Sequence, residues 1–537
     1  MNCALYGHAG RWILVDLGVM FGDETTPGIE VIVPDTAAAE AVRDRLDAIV
    51  ITHAHEDHIG AVPHLWPELG APVHLTPFSA AFLRRKLQGE GVGSEVPIVE
   101  HRPGKRFSVG PFELEYLALA HSIPEPNALV LRTPAGTVFH TGDWKLDPGP
   151  VVGDPVDEGI LRRLGDEGVA AMICDSTNAT IDGASGSEAD LLGSLTDLVA
   201  SRTNRVAFAC FASNVARLDT VSRAASANGR SAALVGRSLR RVDEIARQCG
   251  YLADLPAFVS EQHASYLPRS NAAMICTGSQ GEPRAALARI ASGSHPHVAL
   301  EGGDTLVFSS RTIPGNERAV ARLQDKLERM GVEIVTSRDA FVHVSGHPGR
   351  DELRRMYEWI RPNAAVPVHG ELHHLRAHAR LARDCGIGTV AEIEDGVLLR
   401  ITKDRVERLG EIQVGRLGLD GGRLVPLDSE HVRARRRLSE QGVVTASLVL
   451  NGRGRSLAEP RVSSQGIVAE DEVEGLASEL ASRGTFALER LSAMQRCDDG
   501  TVEEAVRTAM RRHVRANYGR RPLVEVHVIR IGGGQIG

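Results

Sequence analysis

Residues 53–58 read His-Ala-His-Glu-Asp-His, and five of these six side chains can bind a metal ion. The spacing H-x-H-x-D-H sets candidate ligands at His53, His55, Asp57 and His58. The apolar run 46–51 has strand length and residues 59–65 can open a helix, so the ligands occupy a strand-to-helix loop. A loop suits them, because positions i, i+2, i+4 and i+5 do not share one helical face. Imidazoles with a carboxylate form a donor set that zinc prefers. Four ligands this close can serve two ions, two to each, with the rest supplied from far along the chain. A solvated His-rich turn is the competing account; it suits a lone histidine better than this spacing after a buried strand.

A chain of 537 residues is too long for one ordinary core, so two to four domains are expected. It is 42% hydrophobic and 24% charged, the balance of a soluble globular protein. Aromatics at 4% argue against a base-stacking surface as the main binding device. No apolar run approaches membrane-spanning length, and the N-terminus carries no signal-peptide pattern. Cys3, Cys174, Cys210, Cys249, Cys276, Cys385 and Cys497 are odd in number and form no C-x-x-C, which reads as reduced and cytoplasmic. With a net charge of −8, any nucleic-acid site has to be a local basic channel.

The design of strand followed by acid or histidine recurs. Asp16 ends the strand 12–17, where it can orient a ligand from behind or simply be a solvated turn acid. His121 follows the alternating strand 112–117, Asp143 follows the strand 137–140, and Asp175 ends the run 170–175. His121 and Asp143 supply what the first cluster lacks, a third ligand and a bridging carboxylate. From 187 to 340 β and α patterns alternate as in a parallel-sheet module, with Gly/Ser/Asn-rich loops such as 277–283. Those loops can offer backbone N–H groups to phosphates, or be ordinary turns. The metal theme then returns in His343-Val-Ser-Gly-His347 and in His369, so 187–340 reads as an insertion splitting one metal domain. His374 and His378 share a helical face and read as surface histidines; His101, His263, His295 and His297 read as structural. A small α+β unit begins near 430, and the tail 532–537 reads as disordered.

The ordered motifs His121-Ser-Ile-Pro, Thr141-Gly-Asp-Trp-Lys, Asp175-Ser-Thr-Asn, Thr277-Gly-Ser-Gln-Gly-Glu-Pro, Pro314-Gly-Asn-Glu, His343-Val-Ser-Gly-His and Pro367-Val-His-Gly-Glu make the chain resemble the ribonuclease J family, in the β-CASP branch of the metallo-β-lactamase superfamily. The resemblance covers nearly the whole chain. It implies an α/β fold: an αββα sandwich (1–186 and 341–422), an inserted β-CASP α/β domain (187–340) and a C-terminal α+β domain (430–537). It implies two Zn2+, with Mn2+ or Mg2+ in support: one ion on His53, His55 and His121, the other on Asp57, His58 and His369, bridged by Asp143. It also implies that His343, Val344, Ser345, Gly346 and His347 bind substrate phosphate, with Asp175 and His347 beside the reacting group. The expected substrate is single-stranded RNA, 5′-monophosphorylated, degraded 5′ to 3′ and also cut internally in mRNA decay and rRNA maturation. The expected protein is a cytoplasmic homodimer or homotetramer with no membrane association.

The chemistry stands beside the resemblance. Two divalent ions roughly 3.5–4 Å apart can clamp an in-line phosphoryl displacement and lower the pKa of water from 15.7 toward about 7. They also offset charge on the phosphorane-like oxygens. His347 is the candidate general acid for the leaving 3′-oxygen, oriented by Asp175. Two other readings compete: a related hydrolase acting on a thioester or lactam, which needs no polymer channel, and a non-catalytic RNA-binding subunit, which would have lost ligands. Three departures from the family pattern stand out. The opening Gly-rich strand is missing before Met1, so the natural chain is expected to begin upstream. Arg433-Ala434-Arg435 lacks the acid linked to an accessory calcium, so none is expected. Trp144 replaces the usual Phe.

Overall fold

The computed structural model describes residues 1–92 and 95–531; the tail 532–537 lies outside them. The chain divides into two compact units, Met1–Val19 with Pro34–Val414, and Met20–Val33 with Gly415–Gly537.

The first unit contains two sheets packed face to face. One has the strand order Ala4–His8, Arg11–Val15, Leu46–Val50, Val73–Leu75, Ile98–Glu100. The other runs Thr389–Val390, Ala364–Val368, Ala171–Asp175, Gly136–His140, Asn127–Thr133, Phe112–Ala118, Arg106–Val109. Ile13, Val15, Ala48 and Val50 from the first interdigitate with Tyr116, Leu129, Leu131 and Val366 from the second. The opposite face of the larger sheet is covered by helices Glu158–Glu167, Arg350–Ile360 and Leu372–Asp384, through Leu161, Met356, Trp359 and Leu381. Ala171–Asp175 is buried at all five positions, as a parallel strand covered on both faces requires.

Neighbouring strands Ala171–Asp175 and Ala364–Val368 are parallel, with Met172 opposite Ala365 and Asp175 opposite Val368. Between them the chain leaves to build a separate all-parallel six-stranded sheet in the order Val259–Ser260, Ser231–Val235, Ala272–Cys276, Val206–Ala209, Thr305–Phe308, Glu333–Val335. Successive residues of each strand point to opposite faces. Val206 and Phe208 therefore join one core with helices Leu191–Ala200, Val215–Ala227 and Arg237–Gln248. Ala207 and Ala209 join another, with Ala286–Ala291 and Glu317–Arg329.

A buried polar network ties this insertion down where the chain enters and leaves it. Lys145 Nζ pairs with Asp147 at 2.9 Å and donates to Gly186 O at 3.1 Å. Asp147 accepts from Ser187 Oγ at 2.6 Å and Glu188 N at 3.0 Å. The fully buried Arg217 then pairs with Glu188 at 3.2 Å and donates to Ser309 O at 2.6 Å, Val342 O at 3.3 Å and Ser309 Oγ.

In the second unit, Met20–Phe21 and Val31–Pro34 complete a four-stranded sheet with Arg416–Asp420 and Arg423–Pro426. Arg433-Ala434-Arg435 lies in helix Glu430–Gln441, where Arg435 pairs with Asp420 at 2.8 Å. A three-stranded sheet, Arg461–Gln465, Val443–Asn451, Leu523–Ile531, buries Val444, Ala446, Leu448 and Val526 under helices Val473–Glu489 and Asp499–Tyr518.

Candidate metal centre

Each candidate ligand sits where a strand of the first unit gives way to a loop or helix. Leu46–Val50 delivers His53, His55, Asp57 and His58, the last two in the short helix Glu56–Ile59. Phe112–Ala118 precedes His121, Gly136–His140 precedes Asp143, and Ala364–Val368 precedes His369. All seven come together. Ligand atoms of His53, His55, His121 and Asp143 lie within 4.8 Å of one another, as do those of Asp57, His58, Asp143 and His369. Asp143 belongs to both groups. Its Oδ2 lies 4.0 Å from His53 Nε2 and 3.9 Å from His121 Nε2. Its Oδ1 lies 3.2 Å from His58 Nε2 and 3.4 Å from His369 Nδ1.

The rings are turned inward by bonds to their far nitrogens, which is how proteins fix histidines for metal. His58 Nδ1 meets Asp16 Oδ2 at 2.7 Å, His53 Nδ1 meets Thr52 Oγ1 at 3.0 Å, and His121 Nδ1 meets Gly346 O at 2.5 Å. Asp16 also accepts from Thr52 N at 2.8 Å, so the carboxylate ending its strand orients the loop as well as the ring. Asp16 and His369 both hold positive φ, 61° and 55°. Such backbone costs about 1–3 kcal/mol per residue and persists only where the surroundings enforce it.

The electrostatics fit divalent cations. Burial, and then neighbouring histidines, push His53 well below its ordinary range; burial does the same to His121 and takes His55 to about 4. These rings are therefore neutral at pH 7, with lone pairs available. Burial opposes charge on Asp143 and Asp57, yet the surrounding histidines hold both carboxyls well below the usual range. Asp143 Oδ1 is buried and accepts no well-aligned hydrogen bond, its nearest partners being the His58 and His369 ring nitrogens at 3.2 and 3.4 Å, so a cation between them would satisfy it. Burial opposes charge on His58, yet Asp143, Asp57 and Asp16 hold it well above the usual imidazole range, so a cation there would take the place of its proton. Imidazoles gathered around ionised carboxylates are the donor set of a metal-binding site.

Beside it lies the turn 343–347. His347 Nδ1 meets Asp175 Oδ2 at 2.8 Å and lies 3.9 Å from Asp143 Oδ2. Burial works against charge on His347, but Asp175 and Asp143 push it up to about 9. Ser345 Oγ accepts from Asn178 Nδ2 at 2.7 Å and from His347 N at 3.1 Å. A Cβ at Gly346 would stand 2.7 Å from the His121 ring, so only glycine lets the turn approach the ligands. Val344 is buried in the core of the inserted domain, so at that position only the backbone can face a ligand. His343 is half-buried, with Nδ1 unpartnered.

Two residues escaped the sequence reading. Asn2 reaches the second group, with Nδ2 2.9 Å from His58 Nε2 and Oδ1 2.9 Å from His369 Nδ1. No local pattern marks an asparagine as a neighbour of residues 58 and 369. His378, which the sequence pattern places at the surface, is fully buried: its Nδ1 lies 2.8 Å from Ser176 Oγ and its Nε2 2.8 Å from Tyr357 OH. The face it shares with His374 turns partly into the sandwich, which helical periodicity alone does not disclose.

Family models match for the metallo-beta-lactamase superfamily over residues 2–209 and for the ribonuclease J beta-CASP domain over 203–327. Others match for the Zn-dependent metallo-hydrolase RNA specificity domain over 331–391 and the ribonuclease J C-terminal domain over 430–531. A ribonuclease J of Sinorhizobium meliloti is 43% identical over 99% of this chain and 95% of its own. Ribonuclease J2 of Bacillus subtilis is 32% identical over 95% of this chain and 93% of its own. A crystal structure of a protein of unknown function from Enterococcus faecalis shares the fold at TM-score 0.51 and 14% identity, covering 76% of this chain and 96% of that one.

Proposed function

Since the chain belongs to the ribonuclease J family, and is therefore a metal-dependent ribonuclease, we propose that it degrades single-stranded RNA 5′ to 3′ from a 5′-monophosphate, and also cuts internally, in cytoplasmic mRNA decay and rRNA maturation. Zinc is the proposed metal. His53, His55 and His121 would hold one ion, Asp57, His58 and His369 the other, and Asp143 would bridge. When bound, the ions supply Lewis acidity and lower the pKa of water toward about 7.

The chain's own residues account for the leaving side of the reaction. His347 at a pKa of about 9 carries its proton at neutral pH. Asp175 engages Nδ1, so Nε2 is the nitrogen left to give a proton to the departing 3′-oxygen. A water oxygen forms a new bond to phosphorus as the P–O3′ bond breaks, the 3′-oxygen takes the His347 proton and leaves as a hydroxyl, and the product keeps a 5′-phosphate. Ser345, the amides of 343–347 and the 277–282 loop offer donors to substrate phosphate. A pocket of fixed size there would favour a monophosphate end over a triphosphate. The observation that carries this reading is Asp143 reached from three sides, by one histidine group at Oδ2, the other at Oδ1, and the His347–Asp175 pair at 3.9 Å.

The test is a time course on 5′-labelled RNA with zinc-loaded and chelator-treated protein. Release of mononucleotides from the 5′ end, abolished by chelation, restored by zinc and faster on 5′-monophosphate RNA, is expected. Equal rates on both ends would refute the pocket, and undiminished cleavage after metal removal would refute the mechanism.

A further inference from the structure

The cations around the turn 343–347 are matched, with one exception. Lys145 has Asp147 and Arg217 has Glu188. Arg311 is exposed and, among the described residues, has no carboxylate partner. It follows the strand Thr305–Phe308 at the carboxyl edge of the inserted parallel sheet, the edge where open α/β sheets present ligands. Its backbone is held on the C-terminal side by one side chain: Gln280 Nε2 donates to Arg311 O at 2.9 Å, and Ile313 N donates to Gln280 Oε1 at 2.8 Å. From there the guanidinium reaches out of the insertion to the sandwich. Its Nη1 donates to Asn178 Oδ1 at 2.6 Å, and Asn178 Nδ2 donates to Ser345 Oγ at 2.7 Å and His347 O at 3.0 Å. Burial, and after it Arg217, Lys145 and Arg311, push His343 down to about 3. His374 is lowered by burial and His373, with a further contribution from Arg311. The charge thus stands between the turn and helix Leu372–Asp384.

We propose that Arg311 binds a backbone phosphate of the RNA strand next to the scissile one, with Nη1 anchored on Asn178 and Nη2 and Nε free to grip the phosphate. The fork geometry of guanidinium suits this: one donor fixes the side chain and the remaining pair matches two phosphate oxygens. The contact comes from the insertion, whereas the candidate metal ligands come from the sandwich, so substrate would be gripped by both. Arg311 acts on binding and register, not on proton transfer.

This inference rests on the ribonuclease reading, and the experiment separates the two. kcat and KM are measured with the full zinc-loaded chain on single-stranded 5′-monophosphate RNA between 50 and 200 mM KCl. Arg311→Met is expected to raise KM about tenfold with kcat little changed. It should also flatten the slope of log(kcat/KM) against log[salt] by about 0.7, the value for one lost contact on a single strand. Arg311→Lys keeps the charge and should recover the slope while leaving KM raised. An unchanged KM and slope in Arg311→Met would overturn the inference. So would a fall in kcat alone, which would show that Arg311 only props Asn178 and the turn. A parent protein that does not cleave RNA would instead overturn the functional reading, and this inference with it.

Discussion

Removing Arg217 should cost more stability than any single change at the protein surface. The side chain is fully buried and pairs with Glu188, which is also buried, at 3.2 Å. Its donors also satisfy Ser309 O and Val342 O. In Arg217→Met the hydrophobic volume is largely kept, but Glu188 is left as a buried charge and Ser309 O and Val342 O each lose one donor, Val342 O keeping Ser309 Oγ at 2.7 Å. Breaking a buried pair from one side costs about 3–5 kcal/mol, a large share of the 5–15 kcal/mol typical of a folded domain. Adding Glu188→Gln removes the stranded charge, so the double variant should be more stable than Arg217→Met alone. Urea unfolding followed by far-ultraviolet circular dichroism and by tryptophan emission reads this out. The four tryptophans, Trp12, Trp66, Trp144 and Trp359, lie outside the inserted sheet, so dichroism should shift before emission does. A loss below about 1 kcal/mol, or strictly additive single variants, would refute the claim that this pair anchors the insertion.

Other consequences are equally concrete. Asp143→Ala should lower both zinc content and cleavage, and full activity with unchanged metal would end the two-metal account. His347→Ala should keep its zinc while losing at least roughly a hundredfold in rate, the low end for a positioned proton donor; loss of zinc would make His347 a ligand instead. His378 is held at about 4 by burial, against about 6.5 when unfolded, so the unfolded chain binds the extra proton first. Its contribution is intact above pH 6.5 and erodes by about 3 kcal/mol as pH falls to 4, an erosion that urea midpoints should show and that His378→Asn should flatten. The outer edge of strand Leu523–Ile531, with Ile529 and Ile531 exposed, is proposed as a self-association surface. Ile529→Glu with Ile531→Glu should lower the mass seen by light scattering, and an unchanged mass would place assembly elsewhere.

The site was far more legible than the contacts around it, for a physical reason. His53, His55, Asp57 and His58 are close in sequence and follow a buried strand, and His121, Asp143 and His369 repeat the same arrangement, so local pattern carries the information. Asn2, Asn178 and Arg311 act through contacts made only after folding, and their types are common in turns. The sheet joining Met20–Phe21 and Val31–Pro34 to residues beyond 415 is equally silent, because strands of two and four residues carry no periodicity to match across such a separation. His378 failed in the opposite way. Its helix was anticipated, but which faces of that helix meet the sandwich depends on Tyr357 and Ser176, far away in sequence.

The position of the insertion also sets a timetable. Asp175 ends one strand and His369 follows its parallel neighbour, yet roughly 190 residues must be synthesised between them. At 5–20 residues per second that is a delay of about 10–40 s on the ribosome. Throughout it the nascent chain has His53, His55, Asp57, His58, His121 and Asp143 but not His369, and it gains His347 only near the end. A site built this way would be completed only after the inserted domain has been made and the chain has returned to the sandwich, so proposed competence would wait on the insertion rather than on the first ligands.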